Sequence, residues 1–506
     1  MPTAASSTDR WRAVADVGHL VRFRVSSVRW GPLLAGALLF GVLTVGAAVI
    51  PAHLDGAGGA GRAFDVTLLL PTVLAGFVLL AAVAAASSAG GRELLAREPA
   101  AIHPISPTTD HLGALLLAPF NVAWLVQGWL LLGITAFAVG LDGLVWAQAI
   151  AVAWILTATA LGQLLAWALE AIRRTRHGIL AVRLAALVLC ASVVALHLTD
   201  RLVDLLDRLP TRWVLLAMLE EGPTLRWLVT LLGTLAVAIV LVVAGAYPAH
   251  LAARRPSRDE ARVEAESFRP RRDAASDLGT LVRIDRGSVW RAVPMRRGLF
   301  VMALGPTLVA LLGGLEWSMM TVLPGLVAAG GALLYGVNAW SLDQRGALWR
   351  ESLPVSPAVV FDARAYVLAE FLVLASLGTL VVAGLRAGIP SPTEVVLLLA
   401  TLVVVTVQVV GAAMRWSASA PYAVDLRSAR STPAPPAVML TYALTLALTT
   451  TCTGILFSAL AELGRWDLAL LAAVAMLAWS AERLLRTRRG WLDPAERARV
   501  VLAVSA

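Results

Sequence analysis

The sequence contains no lysine: all 42 basic residues are arginine. A phosphate loop of the pattern G-x-x-x-x-G-K-[ST] needs a lysine to reach the phosphates, so this chain cannot carry one. Schiff-base chemistry on a lysine amine is excluded for the same reason. Cysteine is nearly absent. The two present, Cys190 and Cys452, both fall in apolar runs, which rules out a disulfide framework or a cysteine-based zinc spacing. The seven histidines are scattered and never form an H-x-x-x-H pair. Charge is also scarce, at 15% of residues against about 25% in soluble domains.

What the chain has instead is apolar length. Of its 506 residues 58% are hydrophobic, and many runs reach the roughly 20 residues needed to cross a bilayer. The runs are continuous rather than alternating, so they predict helices and exclude a strand-built barrel. Candidate spans fall at 33–52, 66–89, 112–139, 144–169, 178–198, 227–248, 298–315, 320–342, 365–388, 394–414, 437–461 and 467–482. The expected fold is an all-α polytopic membrane protein with about 12 transmembrane helices. The segment 199–226 is too charged to span, and its spacing predicts short amphipathic helices on or in the outer leaflet. Residues 11–28 predict an amphipathic interfacial helix. The polar stretch before the first span is about 30 residues, too long for the n-region of a cleavable signal.

Arginine placement sets the orientation. With the N-terminus inside, the cytoplasmic segments hold 34 arginines and the external segments seven. That asymmetry predicts both termini in the cytoplasm. The net charge of +9 then reflects topology and contact with anionic lipid, not nucleic acid. The arginine-only, Ala/Leu/Val-rich composition suggests a GC-rich bacterial genome, hence the bacterial plasma membrane.

The chain echoes itself. LVRFRVSSVRW at 20–30 resembles LVRIDRGSVWR at 281–291, and each precedes the first span of a six-span set. Arg97-Glu98 followed by Pro104-Ile105-Ser106-Pro107 resembles Arg350-Glu351 followed by Pro354-Val355-Ser356-Pro357. Each lies between the second and third spans of its set. The sequence therefore reads as a first half, 1–248, a basic cytoplasmic linker, 249–277, and a second half, 278–506, with a cytoplasmic tail. Six spans per half make the repeats parallel, related by a pseudo-two-fold axis along the membrane normal.

Each connector holds a charged helical piece, then P-x-S-P. Proline cannot continue a helix and fixes φ, and it biases the residue before it towards an extended shape. The expectation is a stiff knob presented twice on the cytoplasmic face, able to pass force between a soluble partner and the spans.

On these residues the halves resemble the membrane subunit of ABC transporters of the type 2 export class, in a double-length form. The stretch NAWSLDQRGALWRESLPVSPAVVFDAR at 338–364 is similar to that family's segment around its coupling helix. RWSASAPYAVDLRSARSTPAPP at 415–436 is similar to the polar loop between spans four and five. The resemblance implies a permease subunit that is not itself an enzyme and binds no cofactor. ATP would be hydrolysed by a separate ATP-binding subunit, a dimer docking on the two connectors. It makes Arg97, Glu98, Pro104, Ser106, Pro107, Arg350, Glu351, Pro354, Ser356 and Pro357 the candidate coupling residues. The halves depart from symmetry. The second has only ELGRW (462–466) where the first has 199–226, and the first connector is three residues longer.

Two other readings compete. An ion-coupled secondary transporter of major-facilitator type shares the six-plus-six plan, but such transport needs ionisable groups within the spans. Glu370 is the acidic side chain well inside a span. A membrane-embedded glycosyltransferase needs paired carboxylates in an early external loop, where only Asp55 and Asp65 stand. Polar residues within spans, among them Asn338, Gln408 and Gln127, are candidates for a cargo path or for interhelical hydrogen bonds of about 1 kcal/mol or less. A hydrophobic or amphipathic cargo (drug, antibiotic or lipid) fits best with so little buried charge.

Overall fold

The computed structural model describes residues 7–505 except 27–29, 60, 89–104, 121, 256–273, 335, 345, 425–435 and parts of 200–207 and 292–314. Among the described residues the chain is helical, with no strand. It divides into two compact units, 1–266 and 267–506.

The first unit contains α1 (Ser7–Ser26), α2 (Trp30–Val49), α3 (Arg62–Ser88), α4 (Pro107–Leu117), α5 (Val122–Val139), α6 (Leu144–Arg173), α7 (Gly178–Leu198), α8 (Thr211–Met218) and α9 (Leu225–Ala253). The second contains α10 (Asp277–Arg291), α11 (Leu323–Leu334), α12 (Gly346–Glu351), α13 (Pro357–Ala387), α14 (Pro392–Ser419), α15 (Pro436–Glu462), α16 (Trp466–Leu492) and α17 (Pro494–Ser505). Among the described residues six helices are long and apolar enough to cross a membrane: α3, α6 and α9 in the first unit, α13, α14 and α16 in the second. The chain is thus a helical membrane protein.

Helix starts follow side-chain chemistry. Ser106 caps α4 by accepting from the Thr109 N–H at 3.0 Å, with Pro107 in the first turn. Ser391 and Glu394 form a reciprocal capping box on α14, with Pro392 between them. These polar groups satisfy backbone donors that no helix can satisfy internally at its N-terminus. Gly388, at φ +77°, ends α13 and lets the chain turn within four residues into α14.

α6 lies at the centre of the first unit's core. Ile150, Ala151 and Ile155 pack with Leu70, Leu74 and Phe77 of α3, Leu131 of α5 and Trp227 of α9. α6 and α9 run parallel and touch at both ends. Near their N-termini Trp146 and Trp227 meet edge to face at 5.1 Å, and the Trp227 indole donates to the Trp146 carbonyl at 2.9 Å. At their C-termini Arg174 donates to the Ala252 and Arg255 carbonyls, and Arg255 donates to the Ala171 carbonyl. Parallel neighbours require the chain between them to return to its starting side, and α7 supplies that return. In the second unit α14 and α16 also run parallel: Leu397 clusters with Ala469 near their starts, and Gly411 faces Ser480 further along. α15 provides the return.

α8 is a short amphipathic helix within the segment 199–226, where such helices are expected. Val214, Leu215, Ala217 and Met218 are buried in the first unit's core, while Trp213 remains half exposed. The i, i+3, i+4 spacing of these residues makes one face apolar enough to insert. The predicted span 320–342 is not one helix. Met319–Val322 is a 3-10 turn, α11 stops at Leu334, and a second 3-10 segment, Gly336–Leu342, is kinked at Asn338 (φ −147°, ψ 61°). Gly330, Gly331 and Gly336 weaken the helix there.

Candidate functional site

The densest polar construction in the described chain lies in the second unit, around the second connector. It begins on α10, where Leu281, Val282 and Val289 form a buried apolar face with Asp285 in its centre. A buried carboxylate must be paired, and three separate elements bring partners to it. Asp343 follows the 3-10 segment Gly336–Leu342, Arg350 stands in the last turn of α12, and Arg364 projects from the second turn of α13 between Val360, Phe361, Val367 and Leu368.

The four charges interlock. Arg364 reaches Asp285 through Nε at 2.9 Å and Nη2 at 3.2 Å, and Asp343 through Nη2 at 2.9 and 2.8 Å. Arg350 donates to Asp343 at 3.0 and 2.9 Å and to Asp285 at 2.6 Å. A further bond from Arg364 to the Ala339 carbonyl closes the kinked segment. Each carboxylate receives both guanidinium groups, and the formal charge of the set is zero. Removing ions from water costs several kcal/mol per ion, and only well-paired geometry offsets it. Arginine suits this place because its planar fork serves two acceptors at once.

The C-terminal helices form a second layer. Arg364 lies over the Trp340 ring at 5.4 Å, and Trp340 stacks on Trp491 at 3.8 Å and 3°. The Trp491 indole donates to the Pro357 carbonyl at 3.1 Å. Arg488 grips Asp362 with two bonds of 2.7 and 2.8 Å. Arg497 on α17 pairs with Glu351 at 3.0 Å. Val500, Val501 and Val504 of α17 are buried and line a small groove with Trp340, Ala347 and Val360. On its outer side α12 leaves Leu348 and Trp349 uncovered, Trp349 at 76% exposure.

The residues singled out from sequence are placed as follows. Arg350 is inside the four-charge cluster and Glu351 is paired on its edge. Pro354 is exposed in the turn after α12, and Ser356 and Pro357 open α13, where the Ser356 side chain makes no capping bond. In the first connector Ser106 and Pro107 open α4, and Arg97, Glu98 and Pro104 lie outside the described residues. α4 is tied to α9 through Thr108–His250 at 2.9 Å and through buried His111, whose Nε2 is 2.9 Å from the Val242 carbonyl.

The intramembrane candidates do not converge. Glu370 receives a 2.7 Å bond from Arg286 of α10, and that bond holds the guanidinium above its ordinary pKa. Gln408 accepts from Thr453 at 3.2 Å, linking α14 to α15. Gln127 is half-buried on α5. Asn338 donates to the Tyr422 carbonyl at 2.9 Å, fixing the stretch after α14 against the kink. Burial pushes the Tyr422 hydroxyl well above its ordinary pKa, so it stays neutral.

Sequence reasoning missed Asp285, Asp343, Arg364, Trp340 and Trp491 as site residues. A signal for two of them was present. Asp285 and Arg364 each interrupt an apolar face at helical spacing, the mark of a charge folded inward towards a partner. The two tryptophans carried no such mark. Among the described residues no three His, Cys, Asp or Glu side chains gather to hold a metal. Comparison with known proteins adds no relative: no family model, curated protein or solved structure matches this chain.

Proposed function

We propose that the chain is the membrane-spanning permease subunit of an ATP-driven exporter of a hydrophobic or amphipathic compound. A separate ATP-binding subunit hydrolyses ATP and docks, as a dimer, on the two cytoplasmic connectors. The observation that carries this reading is the construction of the second connector. A six-residue helix is not stable alone. α12 is held from behind by Arg350 in the buried cluster and by the Glu351–Arg497 pair, while Leu348 and Trp349 face outwards. That is a rigid knob with an apolar edge, built to receive a push.

Two further observations support the reading. The fourth and sixth predicted spans of each half pack in parallel, as α6 with α9 and as α14 with α16, which suits two six-span halves in one orientation. Glu370, on which a proton-coupled mechanism depends, is already engaged in an ion pair with Arg286. The same reading puts the protein in the bacterial plasma membrane with both termini cytoplasmic.

The test is co-purification in detergent with the ATPase encoded nearest to its gene. The wild-type chain is expected to retain the ATPase. Trp349→Asp, which touches none of the cluster, is expected to lose it, as are charge reversals of Arg97 and Glu98 in the first connector. A wild-type chain that binds no ATPase yet moves cargo in liposomes under a proton gradient would overturn the proposal.

A further inference from the structure

The C-terminal helix does more than end the chain. Residues 488–505 touch four elements of the second unit. Arg488 holds Asp362 on α13. Trp491 stacks on Trp340 and bonds the first residue of α13. Arg497 holds Glu351 at the end of α12. Arg499 donates to the Ala418 carbonyl at 2.8 Å, at the C-terminal end of α14. The buried valines of α17 fill the groove beneath these bonds.

We propose that α17 is a transmission clamp, which makes α12 and the adjoining ends of α13, α14 and α16 move as one body. Without it the second connector is held through the chain on either side of it, through the charge cluster, and through the bonds of 336–344 to Ser417 of α14 and to the Val424 carbonyl. With it, a displacement of Glu351 is passed through Arg497 to α17, and from there to α16 through the chain and to α14 through Arg499. The clamp thereby adds a second route from the connector to the α14–α16 pair, beside the Ser417 bonds that already join α14 to the segment before α12. The contacts are well suited to the task. The Arg497 side chain is 14% exposed and that of Glu351 35%, so the pair is shielded on the arginine side only and keeps part of its sensitivity to salt. The stacked indoles are large, rigid surfaces with few rotatable bonds.

By the sequence echo, Arg24 stands where Asp285 does, Gly90 where Asp343 does and Ala114 where Arg364 does. The two connectors are therefore chemically unequal.

This inference takes from the proposed function only the source of the push, and the clamp is tested on the isolated chain by hydrogen exchange in detergent. Ending the chain after Asp493 is expected to speed exchange of the α12 and 352–356 amides at least ten-fold, and that of 415–420 as well. Exchange in α11 and α15 is expected to stay unchanged. Should the truncated chain fold poorly, Glu351→Arg and Arg497→Glu are each expected to loosen α12, and their combination to restore it. Unchanged α12 exchange, or a uniform rise across the second unit, would overturn the clamp. Local loosening in a chain that captures no ATPase keeps the clamp and rejects the permease; normal capture with unaltered α12 exchange does the reverse.

Discussion

Trp340 and Trp491 lie face to face, 3.8 Å apart and 3° from parallel, one in the kinked segment before the second connector and the other in the last turn of α16. The stack joins the connector to the C-terminal helices through two buried indoles. Trp491→Ala is expected to lower stability by about 3–5 kcal/mol, the range for emptying a buried aromatic site. Trp491→Phe keeps a ring in the stack and loses the bond to the Pro357 carbonyl, so about 1 kcal/mol is expected. Thermal unfolding of the detergent-solubilised protein separates the two.

The four-charge cluster predicts a cycle. Removing one member leaves a buried charge without its partner, so Arg364→Met is expected to cost about 3–5 kcal/mol. Combining it with Asp285→Leu removes an opposite pair and leaves Arg350 with Asp343. The double variant is expected to be more stable than Arg364→Met alone. A double variant at or below that single variant would mean that Arg364 acts by filling space rather than by charge.

Helix packing in the second unit depends on a glycine. A Cβ on Gly454 of α15 would come within 2.9 Å of the Val322 Cα, a backbone atom that cannot step aside, and Thr321 donates to the Gly454 carbonyl at 3.1 Å. Close approach at small residues is how helices associate in lipid. Gly454→Ala is expected to destabilise by about 1–3 kcal/mol, the cost of overpacking. Gly18, with open space around the same position, gives the contrasting control, where Gly18→Ala is expected to be neutral or slightly stabilising.

Glu370 separates the two transport mechanisms. Its partner Arg286 is 43% exposed, so the pair contributes less than about 1 kcal/mol. Glu370→Gln is expected to leave unfolding temperature and transport rate within two-fold of wild type, at any external pH between 6 and 8. A loss of transport of ten-fold or more, in a variant that unfolds normally, would assign Glu370 to the carriage of protons.

The helical membrane character is legible from apolar length, which predicts about twelve spans where six described helices are long and apolar enough to cross. α4, α13 and α14 begin at Pro107, Pro357 and Pro392, ahead of the spans expected from 112, 365 and 394, because a Ser-Pro pair starts a helix before its apolar run begins. The break in 320–342 was less legible, because an apolar run reports transfer to lipid and says little about whether glycines let the helix unwind. The charge cluster was legible only in fragments. Arg350 was identified for its place beside proline, but its partners come from an interfacial helix and from the start of the next span. Pairing over such separations is a tertiary fact, without a local sequence period. The same holds for Trp340 and Trp491, since an indole in a membrane protein is equally at home at a lipid interface.

The buried cluster also has an order in time. Asp285 is synthesised 79 residues before Arg364, an interval of roughly 4–16 s at about 5–20 residues per second. Throughout it the carboxylate has to remain hydrated or find a temporary partner at the translocation machinery. Trp491, which stacks on Trp340, arrives later still. A chain that terminates early, or whose second connector fails to turn, therefore keeps an unpaired aspartate next to an apolar helix. The aspartate is fully paired only once Arg350 and then Arg364 have folded back onto α10.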